Sequence, residues 1–132
     1  MAGSTLCAQV LFGVNNIYTL SSDSGLLQCR IKGKILRSEQ DTYNPIAAGD
    51  FVDVEPDPLS AGVGWIVGRR ERRSSLVRWN KKRRSVQVLA ANAEVAICIG
   101  SAQCPPFRPR FLDRLLVSAE AGGVEPVVVL NK

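Results

Sequence analysis

Residues 69–84, RRERRSSLVRWNKKRR, combine cationic and aromatic side chains in one short stretch. The stretch holds nine of the seventeen Lys and Arg residues and one of the twelve acidic residues, a local net charge of +8. A positive field of this size attracts polyanions, and Trp79 among the cations can stack on an exposed base. The pattern predicts a surface that contacts RNA, and the alternative is a solvated run or one end of a mobile linker.

The candidate RNA-binding residues are the cations of this stretch, its tryptophan, and a weaker second basic cluster near Gly33. They are Arg69, Arg70, Arg72, Arg73, Arg78, Trp79, Lys81, Lys82, Arg83, Arg84, Lys32 and Lys34. The other tryptophan, Trp65, stands on a predicted strand between glycine turns, and we assign it to the core rather than to a ligand surface.

Asn131 and Lys132 directly follow the apolar run VVVL, which is typical of a strand buried on both faces. In open α/β sheets, ligands bind beyond the carboxyl ends of the strands, and Gly100 and Ser101 stand at the neighbouring strand end. An Asn amide can pair with a base edge, while a Lys stem can pack over the base. The pair indicates part of a base-binding site, with a plain polar turn as the alternative.

The first half of the chain is dense in short strand signals separated by Gly, Asn and Ser turns. The predicted strands are 8–14, 16–21, 26–31, 49–56, 64–69 and 85–90. No helical periodicity accompanies them. This pattern predicts a mainly β fold, and a five-stranded oligonucleotide-binding (OB-fold) barrel fits its length and strand count best.

The second half changes to a strand–helix–strand pattern. Residues 94–100 form an apolar strand, 109–123 an amphipathic helix with Pro109 in its first turn, and 126–130 a second buried strand. Such a βαβ unit has parallel strands. Because one helix covers only one sheet face, this half is expected to be the incomplete start of an α/β domain. We divide the chain into domains 1–85 and 86–132 and expect it to be a fragment.

Composition limits the remaining function classes. The chain contains four cysteines without a CxxC pair and no histidine, so we predict no metal site and free thiols. No apolar run approaches the roughly 18 residues that cross a bilayer, and no secretory signal is recognisable. These features predict a cytoplasmic protein without membrane association, and we expect a monomer.

Several motifs in a fixed order resemble the circularly permuted GTPases of small-ribosomal-subunit biogenesis, the RsgA family. They are AAGDFVDVE, GWIVGRRERRSSLVR, VLAANAEVAICIGS and FLDRLLVSAEAGGVEPVVVLNK. Together they extend over nearly the whole chain. The resemblance implies an OB-fold barrel followed by the first βαβ unit of a P-loop-type GTPase domain.

In that family the Asn of the NKxD motif contacts guanine, the Lys flanks it, and an Asp two residues later completes the motif. The resemblance assigns the first two roles to Asn131 and Lys132. The sequence has no GxxxxGK[ST] motif, so this piece is expected to be inactive, and GTP and Mg²⁺ would be bound by the whole protein. The whole protein would also hold a structural zinc in a C-terminal domain.

The implied function is binding to 16S-type rRNA of the small ribosomal subunit, coupling GTP hydrolysis to late 30S maturation. The alternative is a non-enzymatic OB-fold module that binds nucleic acid.

Overall fold

The computed structural model describes residues 4–33 and 43–132. Nine strands and one helix lie in these ranges: β1 (Leu6–Val14), β2 (Ile17–Ser22), β3 (Gly25–Ile31), β4 (Phe51–Pro56), β5 (Val63–Arg69), β6 (Ser75–Asn80), β7 (Ser85–Ala91), β8 (Val95–Ser101), α1 (Pro109–Ala121) and β9 (Glu125–Asn131). Lys34, from the second basic cluster, lies outside the described residues.

The first five strands form a closed barrel with the order β1-β2-β3-β5-β4. β4 closes the barrel against β1, and the β3–β5 pair is parallel while the other pairs are antiparallel. In β4, Val52 and Val54 point into the barrel and are fully buried, because successive strand residues face opposite sides. Leu20 and Ile66 complete the same apolar core. The predicted mainly β fold with a five-stranded barrel is confirmed.

One strand was missed by the sequence pattern. β6 lies inside the basic stretch and pairs with β7 in an antiparallel hairpin separate from the barrel sheet. Cross-strand pairs such as Trp79 with Val86 place apolar contacts beside the charged side chains. Part of the basic stretch is therefore an ordered strand rather than a linker.

Hydrogen bonds attach this hairpin to the barrel. The Asn44 side chain donates to Val88 O at 2.8 Å and accepts from Val88 N at 3.0 Å, as a third strand would. Asn92, just after β7, donates to Gly49 O at 2.9 Å and accepts from Arg73 N at 2.8 Å. These contacts fix the direction in which the hairpin leaves the barrel.

The predicted βαβ unit is present, and its two strands β8 and β9 are parallel. Pro109 begins α1, which packs on the sheet and also against β6, where the Ser118 hydroxyl donates to Val77 O at 2.8 Å. Many apolar side chains of β8 and β9 are nevertheless exposed, among them Ile97 and Ile99 of β8. The division at 85/86 stays a prediction. No helix within 4–33 and 43–132 is long and apolar enough to cross a membrane.

Candidate nucleic-acid interface

The tip of the β6–β7 hairpin concentrates the predicted cations. Lys81, Lys82, Arg83 and Arg84 form the four-residue turn, and all four are exposed. The preceding Asn80 holds the turn, because its Oδ1 accepts from Lys82 N at 3.1 Å and Arg83 N at 3.2 Å. Four positive charges are thus displayed together on a defined turn.

Two further predicted residues lie on β6 beside this turn. Trp79 is 60% exposed, so its ring is available for stacking. Arg78 is also exposed, and its Nε donates to Gln87 Oε1 on β7 at 3.1 Å. Because this acceptor is neutral, the guanidinium keeps its full charge for an anion.

Arg72 has a different environment from the turn. Its Nε and Nη2 donate to Asp50 Oδ1 and Oδ2, both at 2.7 Å, and Nη2 also donates to Pro45 O at 3.3 Å. The Asp50 side chain is 0% exposed and that of Arg72 is 15% exposed. This bidentate pair commits the Arg72 guanidinium to a carboxylate inside the protein.

The remaining predicted cations are distributed over the barrel and its exit. Arg70 pairs with Asp53 at 3.0 Å on the surface, and this hydrogen bond raises the pKa of Arg70. Lys32 forms an ion pair with Glu55. Arg69 is half-buried, whereas Arg73 is exposed near the base of the hairpin. The structure therefore brings the turn cations, Arg78 and Trp79 together, whereas the other predicted cations that it describes lie just after β3, at the end of β5 or between β5 and β6.

Asn131 and Lys132 lie at the carboxyl edge of the β8–β9 sheet, where the sequence predicted a base site. Asn131 is in register with Ser101 of β8, and both Asn131 and Lys132 are exposed. The loop after β8 supports this edge, because Ala102 N donates to Asn131 O at 3.2 Å and the Ser101 hydroxyl donates to Lys132 O at 3.0 Å. The backbone at Asn131 is thus held by hydrogen bonds, and its exposed side-chain amide is free to form hydrogen bonds with a base edge.

The described residues contain no group of three or more His, Cys, Asp or Glu side chains that could hold a metal ion. The four cysteines are free thiols. Burial raises the pKa of Cys29 to about 11, so its thiol stays protonated near neutral pH.

The assignment of Trp65 to the core was wrong. The residue lies on the outer side of β5 and is 43% exposed. Its neighbours Gly64 and Ile66 are the buried positions of that strand, so the alternation turns Trp65 outward. In the sequence, Trp65 stands between the small Gly64 and the apolar Ile66, which both suit an inward-facing position. This alternation was the signal that could have shown the outward direction of Trp65.

Two solved structures share the fold of this chain. The crystal structure of YloQ, described as a circularly permuted GTPase, matches 96% of this chain and 40% of its own with a TM-score of 0.63. YjeQ from Thermotoga maritima matches 98% of this chain and 42% of its own with a TM-score of 0.69. Both are 24% identical in sequence, so they define the fold class: an OB-type barrel joined to part of a permuted GTPase domain.

Sequence comparison gives the family. Residues 69–132 match the family model described as RsgA GTPase. The small ribosomal subunit biogenesis GTPase RsgA of Borrelia recurrentis is 36% identical over 94% of this chain, and that of Flavobacterium johnsoniae is 36% identical over 87%. The chain belongs to the RsgA family, as the sequence motifs indicated. It spans 40% and 36% of the length of these two relatives.

Proposed function

We propose that this chain is the N-terminal part of a ribosome-associated GTPase that binds small-subunit rRNA. The whole protein would couple GTP hydrolysis to late maturation of the 30S subunit. Its partners would be the small subunit, GTP and Mg²⁺, with a structural zinc in a further domain, and it would act as a cytoplasmic monomer. The relatives' names support this activity, and they do not favour the alternative of a non-enzymatic module.

The observation that carries the RNA-binding part is the hairpin turn at residues 81–84. Its four exposed cations are held on a turn fixed by Asn80, and the exposed ring of Trp79 lies next to them. Cations on phosphates release bound counterions, which makes affinity depend on salt, whereas stacking adds a term that salt hardly changes. The turn is therefore proposed to contact the RNA backbone and Trp79 an exposed base.

Affinity for small-subunit rRNA at several salt concentrations tests this proposal. Replacing Lys81, Lys82, Arg83 and Arg84 with Ala should weaken binding and flatten the log–log salt slope by up to about 3, if each cation contacts one phosphate. Trp79→Ala should weaken binding by about 1–3 kcal/mol at an unchanged slope.

A matched control removes exposed cations from α1 and the residue before it instead, by replacing Arg108, Arg110 and Arg114 with Ala. This variant lowers the overall positive charge of the protein by a comparable amount but keeps the proposed contacts. It should therefore flatten the salt slope much less than the variant with Ala at residues 81–84, the turn variant. If the turn variant keeps both affinity and slope, the turn does not contact RNA.

The nucleotide-binding part is proposed from the position of Asn131 at the supported carboxyl edge of the sheet. In the full-length gene product, Asn131→Ala should weaken GDP binding about 5- to 150-fold, as expected for the loss of hydrogen bonds worth about 1–3 kcal/mol. Fluorescent GDP titration measures this change, and Asn15→Ala, at an exposed barrel turn, is the control. Unchanged affinity in Asn131→Ala would remove the residue from the guanine site.

A further inference from the structure

An open groove of about 560 Å³ lies on the outside of the barrel, away from its apolar core. Trp65 and Tyr43 contribute exposed aromatic rings to it, and Arg30 contributes a guanidinium. Arg30 of β3 is in register with Trp65 of the neighbouring strand β5, so the two side chains leave the sheet on the same side. The volume is within the range of about 300–1,000 Å³ that is common for ligand sites.

Trp65 is 43% exposed and Tyr43 is 46% exposed, and both residues border the same groove. Arg30 has no hydrogen-bond or ion-pair partner among the described residues, whereas Lys32 nearby is neutralised by Glu55. The groove thus offers the open Trp65 ring, the Tyr43 ring with the Arg83 guanidinium over one face, and the free charge of Arg30. An unpaired nucleotide carries a flat base and one phosphate, which matches this arrangement.

The groove adjoins the hairpin through Tyr43. The Arg83 guanidinium lies 5.2 Å from the centre of the Tyr43 ring, and Tyr43 N donates to Val86 O of β7 at 2.9 Å. Tyr43 therefore belongs both to the groove and to the junction with the hairpin.

We propose that this groove binds unpaired RNA nucleotides, with a base stacked on Trp65 and a neighbouring phosphate held by Arg30. The proposal rests on RNA binding by this chain, and it adds a preference for single-stranded segments. Bases inside a duplex are already stacked on one another and cannot enter the groove. The turn would supply phosphate contacts to paired and unpaired RNA alike.

The test uses this chain and an unstructured oligoribonucleotide of about ten nucleotides, a length within the site sizes of OB folds. Trp65→Leu removes the ring and keeps an apolar side chain, and it should weaken oligonucleotide binding about tenfold at an unchanged salt slope. Trp65→Phe should recover most of the affinity, and Tyr43→Leu should lose several-fold. An RNA duplex of equal length should lose less than twofold with each variant.

Two controls separate stacking from other effects. Leu26→Ala removes an exposed apolar side chain from β3 and should leave affinity unchanged. Heparin, a polyanion without bases, should bind Trp65→Leu as tightly as it binds the unsubstituted chain. Equal losses for heparin and the oligonucleotide would show that the groove senses only charge, and unchanged oligonucleotide affinity in Trp65→Leu would overturn the proposal.

The turn variant distinguishes this inference from the proposed function. If the turn variant has a flatter salt slope while Trp65→Leu binds the oligonucleotide normally, only the groove proposal is refuted. If Trp65→Leu weakens oligonucleotide binding while the turn variant keeps its affinity and slope, the groove stands and the turn is refuted. If the unsubstituted chain binds neither RNA, both proposals fail.

Discussion

Breaking the Asp50–Arg72 pair should destabilise the protein more than any change at its surface ion pairs. Asp50 is fully buried and accepts three hydrogen bonds, from Ala47 N at 2.8 Å and from the Nε and Nη2 of Arg72. The pair joins the segment before β4 to the segment that leads into the hairpin. Removing one partner of a buried ion pair costs about 3–5 kcal/mol, because the other charge stays desolvated.

The structure predicts which single substitution costs more. In Asp50→Ala, the remaining Arg72 is 15% exposed and its long side chain can reach water, so the cost should lie near 3 kcal/mol. In Arg72→Ala, the remaining carboxylate is short, lies at a position that is 0% exposed in the intact pair and keeps only the hydrogen bond from Ala47 N, so the cost should lie near 5 kcal/mol. The double variant should cost much less than the sum, because neither charge is then left unpaired.

Urea unfolding followed by tryptophan fluorescence measures these costs, since Trp65 lies in the barrel and Trp79 in the hairpin. With a urea slope of about 1–3 kcal/mol/M, a loss of 3 kcal/mol lowers the midpoint by about 1–3 M. Asp53→Ala is the matched control, because it removes an acid from the exposed pair with Arg70 and should cost about 0.2–1 kcal/mol. If Asp50→Ala is no more costly than Asp53→Ala, or if Arg72→Ala is the milder change, the reasoning is refuted.

The remaining predictions concern nucleotide binding, local stability and packing. The 132-residue chain should bind GTP more weakly than about 100 μM in calorimetric titration, because its sequence has no phosphate-binding GxxxxGK[ST] loop. Hydrogen exchange should be faster in β8 and β9 than in the barrel strands, because apolar side chains of this two-stranded sheet are exposed; equal protection would contradict this. Gly122→Ala should cost about 1–3 kcal/mol in urea unfolding, because a Cβ there lies 1.8 Å from Ser75 O of β6; Gly68→Ala, whose Cβ meets only Asp53 at 3.6 Å, should cost less.

Local patterns in the sequence were sufficient to predict most of the elements. The alternation in GDFVDVEP predicted a strand with one buried face, and Val52 and Val54 are buried in β4. Pro109 predicted the first turn of α1 within one residue, because its fixed φ and missing N–H suit that position. The parallel pairing of β8 and β9 followed from the connecting helix, which also placed Asn131 at the carboxyl edge. Each of these features depends on neighbours in the sequence.

The functional surface depended on contacts between distant segments. β6 forms inside a strongly charged stretch because β7 provides its pairing partners. Arg72 leaves the proposed RNA-binding set because Asp50, 22 residues earlier, lies within hydrogen-bond distance. The pairing of β3 with β5 decided that Trp65 lies beside Arg30. Composition alone treats every cation in the basic stretch as equivalent. Only the folded chain separates them, because burial and the nearest partner decide which charges remain available to a ligand.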